Sequence, residues 1–143
     1  MGFSFSKLFN KSESDTATSD TIEAIIASVE HQPYGVSEHN VLFSGLNELG
    51  GYLFFQTVIV GTLKVKCKQG AQLTFRGKDF ELVLNSDSLE FESSYTETKG
   101  RYATSIDFQI EEADIKTLEK TKLNEILLKV KKQEILFAKY SAK

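Results

Sequence analysis

The longest apolar stretch of the chain is residues 52–67, YLFFQTVIVGTLKVKC, and the alternation within it sets the reading of everything after it. Its odd positions are Leu53, Phe55, Thr57, Ile59, Gly61, Leu63, Val65 and Cys67, apolar but for Thr57 and Gly61. In a strand, alternate side chains share a face, so these residues line one surface. The even positions change character along the way. Tyr52, Phe54, Val58 and Val60 are apolar with Gln56 among them, whereas Thr62, Lys64, Lys66 and Lys68 belong in water. One face is therefore covered throughout, and the other only in the first half. A straight strand of this length would reach roughly 50 Å, beyond the ~17–20 Å usual for strands. Gly61 falls where the pattern changes, and a glycine inside a strand marks a bend or bulge. The expectation is a strand that bends at Gly61 and serves two sheets or turns a barrel corner. Its β-branched and aromatic content argues against a buried helix.

Downstream the alternation continues. Leu73 and Phe75 form one inward pair, then Phe80, Leu82 and Leu84 alternate with Glu81, and Leu89 and Phe91 alternate with Glu90 and Glu92. Polar turns at residues 68–70, 76–79 and 85–87 separate them, the signature of antiparallel hairpins with one wet face. The spacing near nine residues also suits a β-solenoid, but the turns share no consensus. Residues 93–101 read as a longer polar loop. Ile106, Phe108 and Ile110 predict another strand, as do Ile126, Leu128 and Val130, then Ile135 and Phe137. Lysines on the wet face of this last hairpin suit a guarded sheet edge.

Two segments carry helical spacing. In residues 21–31, Ile22, Ile25, Ile26 and Val29 recur at i, i+3, i+4 and i+7, with Asp20 as the expected N-cap, Glu23 three residues on, and Pro33 beyond. Residues 111–122 predict a short helix with Asp114 as N-cap and Ile115 and Leu118 facing in. Residues 32–51 are the least regular part: a short strand at 41–43, then a glycine-punctuated loop carrying Leu46, Asn47, Glu48 and Leu49. The fold expected is α+β and β-dominated. It is a mainly antiparallel meander forming a sandwich or partly closed barrel, with an N-terminal helix and one short helix near 112–122. Residues 1–20 are expected to form a flexible segment, and residues 21–143 a single β-rich domain.

Composition narrows the function classes. A net charge of −3 gives no basic field for nucleic acid. One cysteine, Cys67, forms no internal disulfide, and two histidines make most transition-metal sites improbable. No apolar run reaches the ~18 residues that span a bilayer, and the N-terminus lacks a secretory h-region. Together these features predict a cytoplasmic protein.

No motif carries recognisable chemistry. Gly70 and Gly77 before Lys78 have the wrong spacing for a phosphate loop, and Asp79 stands where Ser or Thr is needed. His31 and His39, beside Glu30 and Glu38, lack further metal-ligating neighbours and read as surface residues. Cys67 has neither base nor helix N-terminus nearby and reads as a core residue. The carboxylates on the wet strand faces do not converge on a shared cleft. Lys64, Lys66, Lys68, Arg76 and Lys78 gather on adjacent turns and would suit a local anionic ligand.

Three functional expectations follow. The first is a non-enzymatic module that binds a protein partner or small apolar ligand, with no cofactor and no metal. Its pocket candidates are Tyr34, His39, Asn47 and Glu48, since long connections often carry function. The second is a membrane-surface accessory protein that docks through Phe3, Phe5, Leu8 and Phe9. The opening MGFSFS also fits the myristoylation pattern formally. The third is an enzyme with its site near the 32–51 loop. A homodimer through a sheet face or edge is compatible with 11 Phe and 5 Tyr in 143 residues.

Overall fold

A computed structural model describes residues 21–140 of the chain, of which strands are the dominant element. Phe3, Phe5, Leu8, Phe9 and Asp20 lie outside the described residues. Helix α1 (Ile22–Ser28) leads to a two-residue strand β1 (Gly35–Val36) and then to two long strands, β2 (Asn40–Leu49) and β3 (Tyr52–Gly61). Short β4 (Lys66–Cys67) precedes the hairpin of β5 (Ala71–Gly77) and β6 (Phe80–Asn85). Two further short strands, β7 (Phe91–Glu92) and β8 (Ser94–Tyr95), come before β9 (Tyr102–Ile110). Helix α2 (Glu112–Lys120) then crosses to a last hairpin, β10 (Leu123–Val130) and β11 (Gln133–Lys139).

Nine strands form one antiparallel sheet in the order β6-β5-β10-β11-β1-β2-β3-β9-β8. The sheet curls into a half-barrel, because a bridge between Ser86 and Phe108 brings the end of β6 against β9. The Asp87 amide donates to the Asp107 carbonyl at 2.8 Å beside that bridge. This is the partly closed barrel among the alternatives the alternation predicts.

The central stretch behaves as its alternation dictates. Phe55, Thr57, Ile59, Leu63, Val65 and Cys67 are all buried on the barrel side, while Thr62, Lys64, Lys66 and Lys68 are exposed. Thr57, the polar member of the inward row, is satisfied by donating to the Ile106 carbonyl at 2.6 Å. The chain does leave the main sheet at Gly61. Beyond it β4 pairs with β7 in a separate two-stranded sheet, so one continuous stretch serves two sheets. Gly61 has φ +154°, and a Cβ there would run into the His39 carbonyl and come within 2.7 Å of Asn40 Cα. The bend is then locked by the Asn40 side chain, whose Oδ1 accepts from the Leu63 amide at 3.0 Å.

Two apolar cores result. The inner one fills the barrel with Phe75, Phe108, Phe137, Ile59, Leu73, Ile126 and Leu128 among its fully buried members. The outer one lies between α1 and the back of β2 and β3, where Ile25 and Val29 meet Val41, Phe43 and Val60. Both faces of β2 and β3 are thus covered near Val41 and Val60, as the even positions of the stretch require.

Several expectations change. The short strand expected at 41–43 extends over ten residues, Asn40–Leu49, through the segment expected as a loop. The reason is a tight hairpin: Leu49 pairs with Tyr52, and Gly50 and Gly51 between them both take positive φ, +60° and +86°. A two-residue turn with positive φ at both positions matches the twist of long paired strands. The α1 cap is Thr21, whose Oγ1 accepts from the Ala24 amide at 3.0 Å. Glu111, not Asp114, occupies the N-cap position of α2, and Asp114 sits in its first turn, where a carboxylate complements the helix dipole. Leu89 does not point inward but is 61% exposed, because residues 86–90 fold into a hydrogen-bonded turn and not a strand. The last hairpin is not an edge either. β10 pairs with β5, and β11 with β1, so Lys129 stands on the outer face of an interior strand while Lys131 and Lys132 lie at the turn.

Candidate functional site

β2 runs on to Leu49, past the end of β11 at Lys139, and the site lies beside this overhanging length. β1 fills the space between the two strands for two residues only. Tyr34 extends this bridge by one step, donating to the Leu42 carbonyl at 2.7 Å and accepting from the Tyr140 amide at 2.9 Å. Pro33, which has no N–H to donate, then sends the chain away towards α1. Past that point β2 has no neighbour on this side among the described residues. Leu42 turns its carbonyl towards β1, so by the two-residue repeat Ser44, Leu46 and Glu48 turn their backbone groups to the open side.

Helix α2 leans over this side of β2, and between them lies a partly open cleft of about 690 Å³. Its apolar lining comes from Leu46, Phe55, Ile110, Ile115, Leu118 and Leu123. The polar lining is Tyr34, Glu119, Thr121, Lys122, Asn124, Lys139 and Tyr140. Tyr34 and Phe55 of the lining are backed by buried Phe75 in an edge-to-face aromatic cluster, Tyr34 to Phe55 at 5.4 Å and Phe55 to Phe75 at 5.2 Å between ring centres. Such pairs hold rings in fixed orientations, so this side of the cleft is rigid. The opposite wall is softer, since α2 has no fully buried residue and touches the inner core only through half-buried Ile115 and Leu118.

Two polar groups stand out. Burial pushes the Tyr34 phenol up to about 12, so the hydroxyl is neutral at physiological pH. The Lys139 ammonium lies 4.6 Å from the centre of the Tyr34 ring and donates to the Tyr140 carbonyl at 3.3 Å. No described carboxylate forms an ion pair with it. This placement follows from register. Lys139 continues the inward phase of Ile135 and Phe137, and it pairs with Gly35, the residue after Tyr34.

Of the four pocket candidates from the sequence, the structure brings Tyr34 into the cleft. His39 lies at the opposite end of β2, largely exposed, with Nε2 3.8 Å from Glu38 Oε2. Asn47 and Glu48 are exposed on β2 next to Leu46 but do not line the cleft. The residues missed are Lys139, Lys122 and Tyr140. A signal for Lys139 existed, since it is a charged residue standing on an apolar strand phase.

The basic residues 64–78 do not form one patch. Arg76 bridges Glu81 at 3.5 Å and Glu125 at 3.2 Å on the outer face of the barrel. Lys64 sits over the rings of Tyr95 and Tyr102 at 5.3 and 5.5 Å. Lys66 stands opposite Glu92 across β4 and β7. Cys67 is buried, its Sγ donating to the Gly70 carbonyl at 3.3 Å. Among the described residues no group of three or more His, Cys, Asp or Glu is placed to hold a metal ion, and no helix is long and apolar enough to cross a membrane. No family model, curated protein or solved structure matches the chain.

Proposed function

We propose that the protein is a non-enzymatic binding module whose cleft between α2 and the β2–β3 hairpin takes a small, mainly apolar ligand. The observation that carries this reading is the cleft itself: about 690 Å³, with six apolar residues lining it and a few polar groups at one side. Volume and composition both match the general run of small-molecule sites, which are apolar with sparse orienting polar groups. The lining supports binding over catalysis. Among the described residues its ionisable members are two lysines, two tyrosines and Glu119, and Glu119 is exposed on α2. Among the described residues no serine, cysteine or histidine lines it.

The reading is tested with an environment-sensitive apolar dye, 1-anilinonaphthalene-8-sulfonate, titrated into the folded chain. Saturable fluorescence enhancement is expected, lost in Leu118→Asp, which places a charge on the α2 wall. Leu136→Asp, at a half-exposed site on the outer face, is expected to leave it intact. Enhancement that Leu118→Asp leaves unchanged would refute the cleft as the binding site.

A further inference from the structure

From the polar side of the cleft we infer the class of its ligand: a monocarboxylate with an apolar body, its carboxylate held by the Lys139 ammonium and the Tyr34 hydroxyl. This rests on the cleft being a ligand site, and it adds the chemistry of the head group.

Charge is the first consideration. Among the described residues the lining carries Lys122 and Lys139 against Glu119, a surplus of one positive charge beside a mainly apolar surface. Glu119 makes no ion pair with either lysine. The chain as a whole is acidic, at −3, so this local surplus runs against the overall charge. A ligand with a single negative charge neutralises it. A neutral ligand leaves it standing, and a dianion overshoots it.

Geometry is the second. Lys139 is half-buried and held in place from below by the Tyr34 ring and from the side by the Tyr140 carbonyl. An ammonium has three donor hydrogens, and one is used by Tyr140. The Tyr34 hydroxyl has no hydrogen-bond partner among the described residues, and burial keeps it protonated, hence a donor. A carboxylate offers two acceptor oxygens, one for each of these donors, and charge-assisted bonds of this kind are the stronger ones. The apolar body then lies along Phe55, Ile110, Leu118 and Leu123. These residues present no polar side chain, so they read length and bulk rather than functional groups.

The test compares dodecanoate and dodecyl phosphate, each below its micellar concentration, with dodecan-1-ol below its solubility limit, titrated at pH 7.4 into the isotope-labelled full chain and followed by amide and side-chain NMR shifts. Dodecanoate is expected to bind about tenfold more tightly than the alcohol, the scale of one charge-assisted hydrogen bond, with shifts at Tyr34, Leu46, Ile110 and Leu118. Lys139→Met is expected to abolish that preference while leaving the alcohol's affinity within about twofold, and Lys139→Arg to restore it. Equal binding of acid and alcohol overturns the carboxylate inference and leaves the apolar cleft standing. So does a preference that survives Lys139→Met, or tighter binding of the phosphate. Failure of all three to bind overturns the cleft reading itself.

Discussion

At the scale of single residues, two positions carry more than their size suggests. Gly61 is fixed from two sides, by its positive φ and by the His39 and Asn40 atoms that fill the place of a side chain. Two of these are backbone atoms, the His39 carbonyl just before β2 and Asn40 Cα at its first residue, so they cannot yield without shifting the start of the β2–β3 ladder. Gly61→Ala is therefore expected to lower stability by about 3 kcal/mol, within the range of backbone-strain and overpacking mutants. Urea denaturation followed by circular dichroism measures it. A loss below about 1 kcal/mol would show that the bend has slack. The other position is Tyr34. Its phenol is raised above the ordinary value of 10 to about 12, so the folded chain holds a proton that the unfolded chain releases. The stability this contributes is complete below pH 10 and is lost as pH rises through 10 to 12. The alkaline loss is on the order of 2 kcal/mol. Tyr34→Phe cannot ionise, so its denaturation midpoint is expected to fall less than that of the parent between pH 9.5 and 11.5. Parallel curves for the two proteins would contradict the buried phenol.

At the scale of elements, α1 shows how little helix is needed when a sheet supplies the partner. Seven residues with one hydroxyl cap are too few to persist alone. The helix stands because Ile25 is wedged against Val41, Phe43 and Val60. Ile25→Ala is expected to cost about 2–4 kcal/mol, as for other large-to-small core changes, and differential scanning calorimetry reads it. By contrast Arg76→Met, which removes a half-exposed guanidinium from Glu81 and Glu125, is expected to cost less than about 1 kcal/mol, because such pairs are screened.

Elements are also where the sequence was most readable. Ile22, Ile25, Ile26 and Val29 at i, i+3, i+4 and i+7 located α1, and the odd-position row from Leu53 to Cys67 located the barrel face, because in both a one-sided apolar surface leaves a period in the chain. Residues 40–49 left no such trace. Only the first four residues of β2, Asn40 to Phe43, are buried, and from Gly45 onward both faces are exposed, so Gly45, Leu46, Asn47, Glu48 and Leu49 follow no period at all. What makes this segment a strand is its partner β3, a relation that single-chain periodicity does not record.

At the scale of the whole molecule, what the sequence hid was pairing across distance. The hairpins β2–β3, β5–β6 and β10–β11 join neighbours in the chain and follow from turns. The contacts β3–β9, β5–β10 and β1–β11 join segments far apart, and these shape the half-barrel. The cleft inherits this remoteness. Tyr34, Phe55, Ile110, Leu118 and Lys139 come from five separate stretches, so no local motif announced the site. Tyr34 alone was named from the sequence as a pocket residue, and the signal at Lys139, a charged residue on an apolar strand phase, went unread.

The Ser86–Phe108 bridge has its own consequence. Every other junction of the curled sheet is a ladder of at least two residue pairs, whereas β6 meets β9 through this bridge and the adjoining Asp87 amide. A hoop fastened by one rivet springs there before its staves separate. The Asp87 amide should therefore trade its hydrogen for deuterium sooner than the amides between β3 and β9, and the barrel should unroll from that rivet without first losing either hairpin. Equal exchange at both places would mean that the hoop gives way all at once.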